Sequence, residues 1–208
     1  MKRILISQRV IENDSYPETR DCLDIEWSHF LSEINILCCP ISSMAPVKEY
    51  FSQDVAGVVL SGGNDLNCIT KSKVNKLRDE TEKQVLDYCV ENKIPLLGVC
   101  RGLQFIANYF GIKLYPLEGH VATKHQVEVS SESLYQKFFL ELTEVNSYHN
   151  YGIKNITSDF IASVTASDGS IEAIEHKTLP ILGMMWHPER NFPFSESDKS
   201  LFKLFFNA

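Results

Sequence analysis

Pro95-Leu96-Leu97-Gly98-Val99-Cys100-Arg101-Gly102-Leu103-Gln104 is the stretch on which the fold turns. It opens as a short apolar run, Pro95–Cys100, of the kind that forms a strand buried on both faces. A helix is expected directly after Cys100, running to about Phe110, where Gly111 ends it. A cysteine held on a sharp strand-to-helix turn crowds its neighbours, and glycines at positions 98 and 102 remove the side chains that would clash. Working upstream, Arg3–Ser7, Asn35–Cys39 and Gly57–Ser61 repeat the apolar pattern. Helical spacing is expected over Thr19–Glu33 and Lys73–Asn92, the latter through Val74, Leu77, Thr81, Val85, Tyr88 and Cys89. This β-α-β-α order predicts an α/β fold with a doubly wound, mostly parallel central sheet flanked by helices and joined by right-handed crossovers.

The second half changes character. Gln126–Ser130, Phe160–Ala166, Ser170–Glu175 and Ile181–Met185 read as strands separated by turn signals such as Ser167-Asp168-Gly169, and some of them are expected to be antiparallel. An amphipathic helix over about Glu196–Phe206 returns Leu201, Phe202, Leu204 and Phe205 to the sheet. No repeat or low-complexity linker divides the chain, so one domain over residues 1–208 is expected.

With 44% hydrophobic and 23% charged residues, the 208-residue chain has enough apolar material for a core. Its net charge of −7 disfavours a nucleic-acid surface, which needs a basic stripe to neutralise phosphates. The apolar run after Met1-Lys2-Arg3 is too short for a secretory h-region, and no stretch approaches the roughly 20 apolar residues of a membrane span. A cytoplasmic location without membrane partners is therefore expected. Cys22, Cys38, Cys39, Cys68, Cys89 and Cys100 include no C-x-x-C pair, and in that compartment they are read as reduced thiols.

In open α/β sheets ligands gather beyond the carboxyl ends of the strands, so the turns after Gly57–Leu60 and Pro95–Leu97 matter most. Gly98-Val99-Cys100-Arg101-Gly102 has the G-x-nucleophile-x-G form of a nucleophile elbow, although a buried cysteine between two packing glycines would look the same. The helix starting there aims free N–H groups at the sulfur and favours thiolate. Trp186-His187-Pro188-Glu189 directly follows the last strand. In an extended segment His187 and Glu189 project to one side, which suits a relay in which His187 takes the Cys100 proton and Glu189 orients the ring. Alone, His-Pro-Glu reads as a surface turn; at the end of a strand in a chain that also carries the elbow, it reads as catalytic. Gly62-Gly63 lets the backbone of residue 63 turn an N–H toward an oxyanion, with the Arg101 N–H as second donor.

Together Ser61-Gly62-Gly63, Gly98-Val99-Cys100-Arg101-Gly102-Leu103-Gln104, Val145-Asn146-Ser147-Tyr148-His149 and Trp186-His187-Pro188-Glu189 resemble the class I glutamine amidotransferase superfamily, which has a flavodoxin-like fold. Asn64-Asp65 stands where glutaminase domains have proline, and Cys-Arg-Gly replaces their Cys-Leu-Gly. Both departures point to the γ-glutamyl hydrolase (peptidase C26) branch. The resemblance implies a Cys100/His187/Glu189 triad, oxyanion N–H groups from Gly63 and Arg101, and substrate contacts from Gly62, Asn64, Gln104, Ser147, Tyr148 and His149. It implies a small-molecule γ-glutamyl substrate, hydrolysis through a thioester on Cys100, and no cofactor. The same triad would serve a glutaminase subunit feeding a synthetase, and a silent binding module on this fold is the third reading.

The remaining histidines carry little signal. His29 and His176 are isolated and read as structural or exposed. His120, His125 and His149 have no carboxylate at metal-motif spacing, so no metal is assigned. The mixed charges of Lys71–Glu82 read as a solvated helix face. Phe138, Phe139, Phe202, Phe205 and Phe206 read as core. Oligomeric state is left open.

Overall fold

In a computed structural model of the chain, residues 1–52 and 54–208 are described. The strands are β1 Lys2–Ile6, β2 Arg9–Glu12, β3 Thr19–Cys22, β4 Ile36–Pro40, β5 Gly57–Leu60, β6 Leu96–Val99, β7 Tyr115–Pro116, β8 Val121–Val129, β9 Glu144–Tyr148, β10 Tyr151–Gly152, β11 Phe160–Ala166, β12 Ile171–His176 and β13 Ile181–Met184. The helices are α1 Ile25–Glu33, α2 Val47–Tyr50, α3 Lys73–Asn92, α4 Arg101–Tyr109, α5 Gln136–Phe139 and α6 Glu196–Phe205.

Among the described residues, nine strands form one sheet in the order β4-β1-β5-β6-β13-β12-β11-β8-β9. The first five are mutually parallel, and from β13 onward every pairing is antiparallel. The β5, β6 and β13 strands are therefore parallel neighbours at the centre, and their carboxyl ends converge on one edge. Alternation sorts their side chains: Ile4, Ile6, Val59, Leu97 and Val99 pack with Trp27, Phe30 and Phe202 of α1 and α6 on one face. Leu5, Val58, Leu60 and Leu96 pack with Val85, Leu86, Leu103 and Ile106 of α3 and α4 on the other. This is the expected sheet with helices on both faces. Phe139, Phe202, Phe205 and Phe206 are buried as expected, and Phe138 is half-buried against them.

The structure corrects the reading in three places. Thr19–Cys22, expected as the start of a helix, pairs antiparallel with Arg9–Glu12 to form a hairpin. The helix starts only at Ile25, where the Asp24 carboxylate accepts the Glu26 N–H at 3.1 Å. Its buried stripe, Trp27, Phe30 and Leu31, lies wholly beyond that cap, so nothing apolar draws residues 19–24 into a helix. The β8 strand begins at Val121 rather than 126, because Thr123, Lys124 and His125 hide the alternation. The β9 strand falls on the Val145–His149 motif, whose polar residues do not announce a strand.

Gly98 and Gly102 meet at the elbow. A Cβ on Gly98 would lie 2.5 Å from the Gly102 carbonyl carbon, and one on Gly102 would overlap the Leu60 carbonyl oxygen. Because α4 thus touches β5 through bare backbone, Gly102→Ala should destabilise the protein by about 1–3 kcal/mol, as overpacking does. Urea unfolding of the purified variant measures this, and unchanged stability would mean that α4 does not sit this close.

Candidate active site

Cys100 ends β6 with φ 52° and ψ −103°, a backbone conformation rarely adopted by a residue with a side chain. Its N–H donates to the Met184 carbonyl of β13 at 2.8 Å, so the strained residue is pinned to the strand that carries His187. Cys100 is 6% exposed, and its side chain acts on the His187 imidazole closely enough to raise the pKa of the ring. The other side of the ring belongs to Glu189, whose Oε1 lies 2.6 Å from Nδ1. The segment differs from the extended form expected of it: His187 is extended, but Pro188–Arg190 is one 3-10 turn, and that turn swings Glu189 back onto the ring.

Burial alone would lower the His187 pKa. The negative charges of a Cys100 thiolate and of Glu189, together with hydrogen bonds to both, overcome that and raise it to about 9. Glu189 keeps one buried oxygen, Oε2, without a hydrogen-bond partner. His187 is also fixed through its backbone. Its N–H donates to Asn146 Oδ1 at 2.8 Å, and its carbonyl accepts from Asn146 Nδ2 at 2.9 Å. Asn146 of β9 is thus a positioning residue; its place in the Val145–His149 motif gives no hint of that role.

A second feature escapes a reading of the sequence. Arg78 and Glu82, expected on a solvated helix face, are 1% and 0% exposed and paired at 2.9 Å. The Arg78 guanidinium donates to the carbonyls of Ser61 (2.7 Å), Gly62 (3.1 Å) and Gly63. In a trans peptide the N–H points opposite to the carbonyl. Capturing the Gly62 carbonyl therefore turns the Gly63 N–H the other way. Glu82 also accepts from Ser7 Oγ at 2.8 Å and from the Arg101 guanidinium, which pairs with Asp79 as well. Burial pushes Arg78 down to about 10, with Arg101 repelling it, so it remains charged at neutral pH. Burial would raise Glu82, but Arg101 and Arg78 hold it below its ordinary value. On the same helix, Lys76–Glu80 does form an exposed i,i+4 pair as expected.

A cleft of about 260 Å³ opens beside His187 and Glu189 and is lined by Arg9, Asp24, Trp27, Gly62 and Arg190, among others. Gly62 lies so close that a Cβ there would sit 2.6 Å from His187 Cε1. Tyr148, 42% exposed, stands edge-on to His187 with ring centroids 5.7 Å apart, and Arg190 lies over its ring at 4.6 Å. Three other residues expected to touch substrate have their side chains committed elsewhere. Asn64 donates to Val10 O at 3.1 Å and accepts Val10 N at 3.0 Å, locking the β2–β3 hairpin. Ser147 is fully buried and donates to the His120 carbonyl at 2.8 Å. His149 is 3% exposed and donates from Nδ1 to the Tyr151 carbonyl at 3.1 Å. Gln104 also donates to Tyr151 O, at 2.7 Å, which leaves its Oε1 as the free end.

Among the described residues, His120, His149 and Glu172 form a group able to hold a metal ion. Burial pushes the Glu172 carboxyl up to about 8, with Asp168 adding to it, and lowers His149 to about 3, with His120 adding to it. His29 is exposed beside Glu26, and His176 packs its ring against Phe160 and Phe110. Of the other thiols, Cys89 is buried and pushed up to about 12, so it is no nucleophile at neutral pH.

Fold and relatives together define a hydrolase on the class I glutamine amidotransferase architecture. Two solved structures share that fold. One is a GMP synthase component from Thermoplasma acidophilum (TM-score 0.74, 22% identity, covering 100% of this chain and 93% of that one). The other is a glutamine amidotransferase from Thermotoga maritima (TM-score 0.68, 16% identity, 99% and 84%). The chain belongs to the peptidase C26 family, whose model matches residues 33–189. It is 42% identical to the γ-glutamyl-CDP-amidate hydrolase of Campylobacter jejuni subsp. jejuni serotype O:2 over 188 residues, 89% of this chain and 88% of that one.

Two predictions come from this geometry. His187 has a raised pKa, so its contribution to stability is complete below its unfolded value near 6.5 and is lost as pH rises through about 9. Thermal melts should fall over that interval in the wild-type chain, and the fall should be smaller in Cys100→Ala, where the ring loses one of its two anionic partners. A melt that is flat from pH 6.5 to 9.5 in both would contradict the buried ion pair. Separately, Arg78→Met leaves Glu82 buried beside a single guanidinium and frees three carbonyls. Unfolding stability should drop by about 3–5 kcal/mol. The milder Arg78→Lys should fold and lose at least about tenfold in kcat, since a point charge cannot hold the loop's geometry.

Proposed function

We propose that the chain cleaves a γ-glutamyl amide to release glutamate, through a γ-glutamyl thioester on Cys100. The observation that carries this reading is the buried Cys100–His187–Glu189 relay at the adjoining ends of β6 and β13. With Nδ1 held by Glu189, Nε2 is the nitrogen that serves sulfur and substrate. Cys100 Sγ attacks the γ-carbonyl carbon, and the oxyanion is met by the N–H groups of Gly63 and Arg101. The Nε2 proton then passes to the departing nitrogen, the C–N bond breaks and the thioester remains. Water gives a proton to Nε2 and attacks the thioester, and glutamate leaves with the thiolate restored.

The substrate on this reading is γ-glutamyl-CDP-amidate, and the products are glutamate and cytidine diphosphoramidate for capsule modification, in the cytoplasm. The relative from Campylobacter jejuni supports the substrate. So does the cleft, which sets Arg9 and Arg190 beside His187 and Glu189, where an α-carboxylate and a diphosphate need cations, and Asp24 where an α-ammonium needs an anion. Gly62, Gln104 Oε1 and Tyr148 border the γ-glutamyl head. Asn64, Ser147 and His149 act from behind, by holding the backbone that lines it.

The test is kcat/KM on γ-glutamyl-CDP-amidate and on glutamine, read as released glutamate. The amidate should be preferred by orders of magnitude; preference for glutamine would indicate a glutaminase subunit instead. Cys100→Ala should abolish turnover while circular dichroism stays unchanged, whereas Cys22, Cys38, Cys39 and Cys68 should each tolerate alanine. Glu189→Gln should lose less than His187→Ala or Cys100→Ala, because an amide still bonds the ring but no longer stabilises its charge. Combined with Cys100→Ala it should add almost nothing, since triad members act as one unit. A Glu189→Gln enzyme with the wild-type rate from pH 6 to 9 would remove Glu189 from the mechanism.

A further inference from the structure

Three buried side chains face one another with no hydrogen bond among them, and the Ser170 hydroxyl reaches only the Oε1 of the carboxylate, at 3.5 Å. His120 precedes β8, His149 follows β9 and Glu172 lies on β12; they are 2%, 3% and 0% exposed. Their outer partners fix both tautomers. His120 Nε2 is 3.0 Å from Asp168 Oδ2, and His149 Nδ1 is 3.1 Å from the Tyr151 carbonyl, which can only accept. Each of those nitrogens therefore carries the hydrogen, and the inward atoms, His120 Nδ1 and His149 Nε2, present lone pairs. Both are buried without a hydrogen-bond partner, as is Glu172 Oε2. The two nitrogens stand 3.8 and 3.9 Å from Glu172 Oε1, too far for a shared proton to join them.

We propose that His120 Nδ1, His149 Nε2 and Glu172 bind one divalent cation of the zinc class. Two imidazole nitrogens and a carboxylate are the donor set that borderline transition ions take, and each histidine already has the outer hydrogen bond that orients a metal ligand. One donor atom from each residue lies within 4.8 Å of the others. An ion about 2.0–2.2 Å from each would need them roughly 3.3–3.6 Å apart, which a rotation of the Glu172 carboxylate and small ring shifts supply. Water or the neighbouring His125, whose ring centroid is 4.0 Å from that of His120, completes the shell.

The ion is structural. Its three ligands stand outside the Cys100–His187–Glu189 relay, yet their backbone and outer partners lead toward it. The Tyr151 carbonyl that holds His149 also holds Gln104 of α4. The Glu172 carbonyl accepts the Met185 N–H at 2.7 Å, two residues before His187. A cation there clamps β8, β9 and β12 against the two strand ends that carry the relay.

The experiment uses the untagged, chelator-treated chain, titrated separately with Co²⁺ and Zn²⁺. Expected are one equivalent bound by equilibrium dialysis, ligand-field bands in the Co²⁺ spectrum without thiolate charge transfer, and a melting temperature raised by roughly 5–10 °C at a hundredfold excess over Kd. Glu172→Gln should lose all three. Should that variant fail to fold, Asp168→Asn, whose side chain is half exposed and outside the ligand set, should weaken binding by about 10–100-fold. Cys100→Ser should bind as the wild type does. The proposal is overturned if millimolar Co²⁺ produces neither spectrum nor shift, if binding survives in Glu172→Gln, or if it vanishes in Cys100→Ser, which would put the ion on the cysteine and His187.

Discussion

A guanidinium taken out of water must have its donors satisfied in place, and that requirement at Arg78 organises the carboxyl end of the parallel strands. Its partners come from separate parts of the chain: the carbonyls after β5, Glu82 one turn along α3, and through Glu82 the Ser7 hydroxyl and the Arg101 guanidinium. Displacing any one of these breaks a hydrogen bond on which the others rely. The Gly62–Gly63 turn, the start of α4 and the end of β1 are therefore one rigid body. Two flexible glycines become a turn of fixed direction because the cation behind them holds both of their carbonyls. The desolvation cost of that cation is offset by the acceptors gathered round it, on Ser61, Gly62, Gly63, Asn64 and Glu82, rather than by packing.

The relay on the other side is held by a different device. Cys100 sits at positive φ at a cost on the order of 1–3 kcal/mol, and the parallel register of β6 with β13 supplies the restraint through the Cys100–Met184 hydrogen bond. His187 is held at three points, by Glu189 at the ring and by Asn146 at both ends of its backbone unit. Asn146 stands on β9, the far edge of the sheet. The antiparallel half of the molecule thus sets the position of the His187 backbone.

Much of this is legible in the sequence because it is local. The Pro95–Gly102 stretch and the Lys73–Asn92 helix declare themselves within ten or twenty residues, and the elbow follows from two glycines four apart. What stays hidden depends on long-range contact. Arg78 and Glu82 have the i,i+4 spacing of any exposed ion pair, and only the burial of that helix face distinguishes them from Lys76 and Glu80. Glu172 lies in an apolar strand far from His120 and His149, so no spacing rule links the three. Ser147 and His149 belong to a motif that predicts nearness to the cleft, but strand alternation decides which side chains face it: Tyr148 looks outward over His187, while its neighbours on either side turn inward. The β2–β3 hairpin escapes notice because Thr-Arg-Asp-Cys has no apolar alternation of its own and is held instead by backbone pairing.

The charge distribution joins these parts. A chain with net charge −7 repels anions at long range, yet the cleft places Arg9 and Arg190 beside the relay. Screening confines the general repulsion to about a Debye length, roughly 8 Å at physiological ionic strength, so inside the cleft the near cations dominate. They act with opposite signs on an anion entering the cleft and on the buried imidazole. Favourable to an anion, they oppose a charge on the His187 ring, whose pKa is raised by Cys100 and Glu189 at closer range. Arg190 is kept off the ring by lying over Tyr148, 4.6 Å from its centre, with its Nε 3.7 Å from Glu189. Tyr148, in contact with both, thereby stands between the Arg190 guanidinium and the His187 ring.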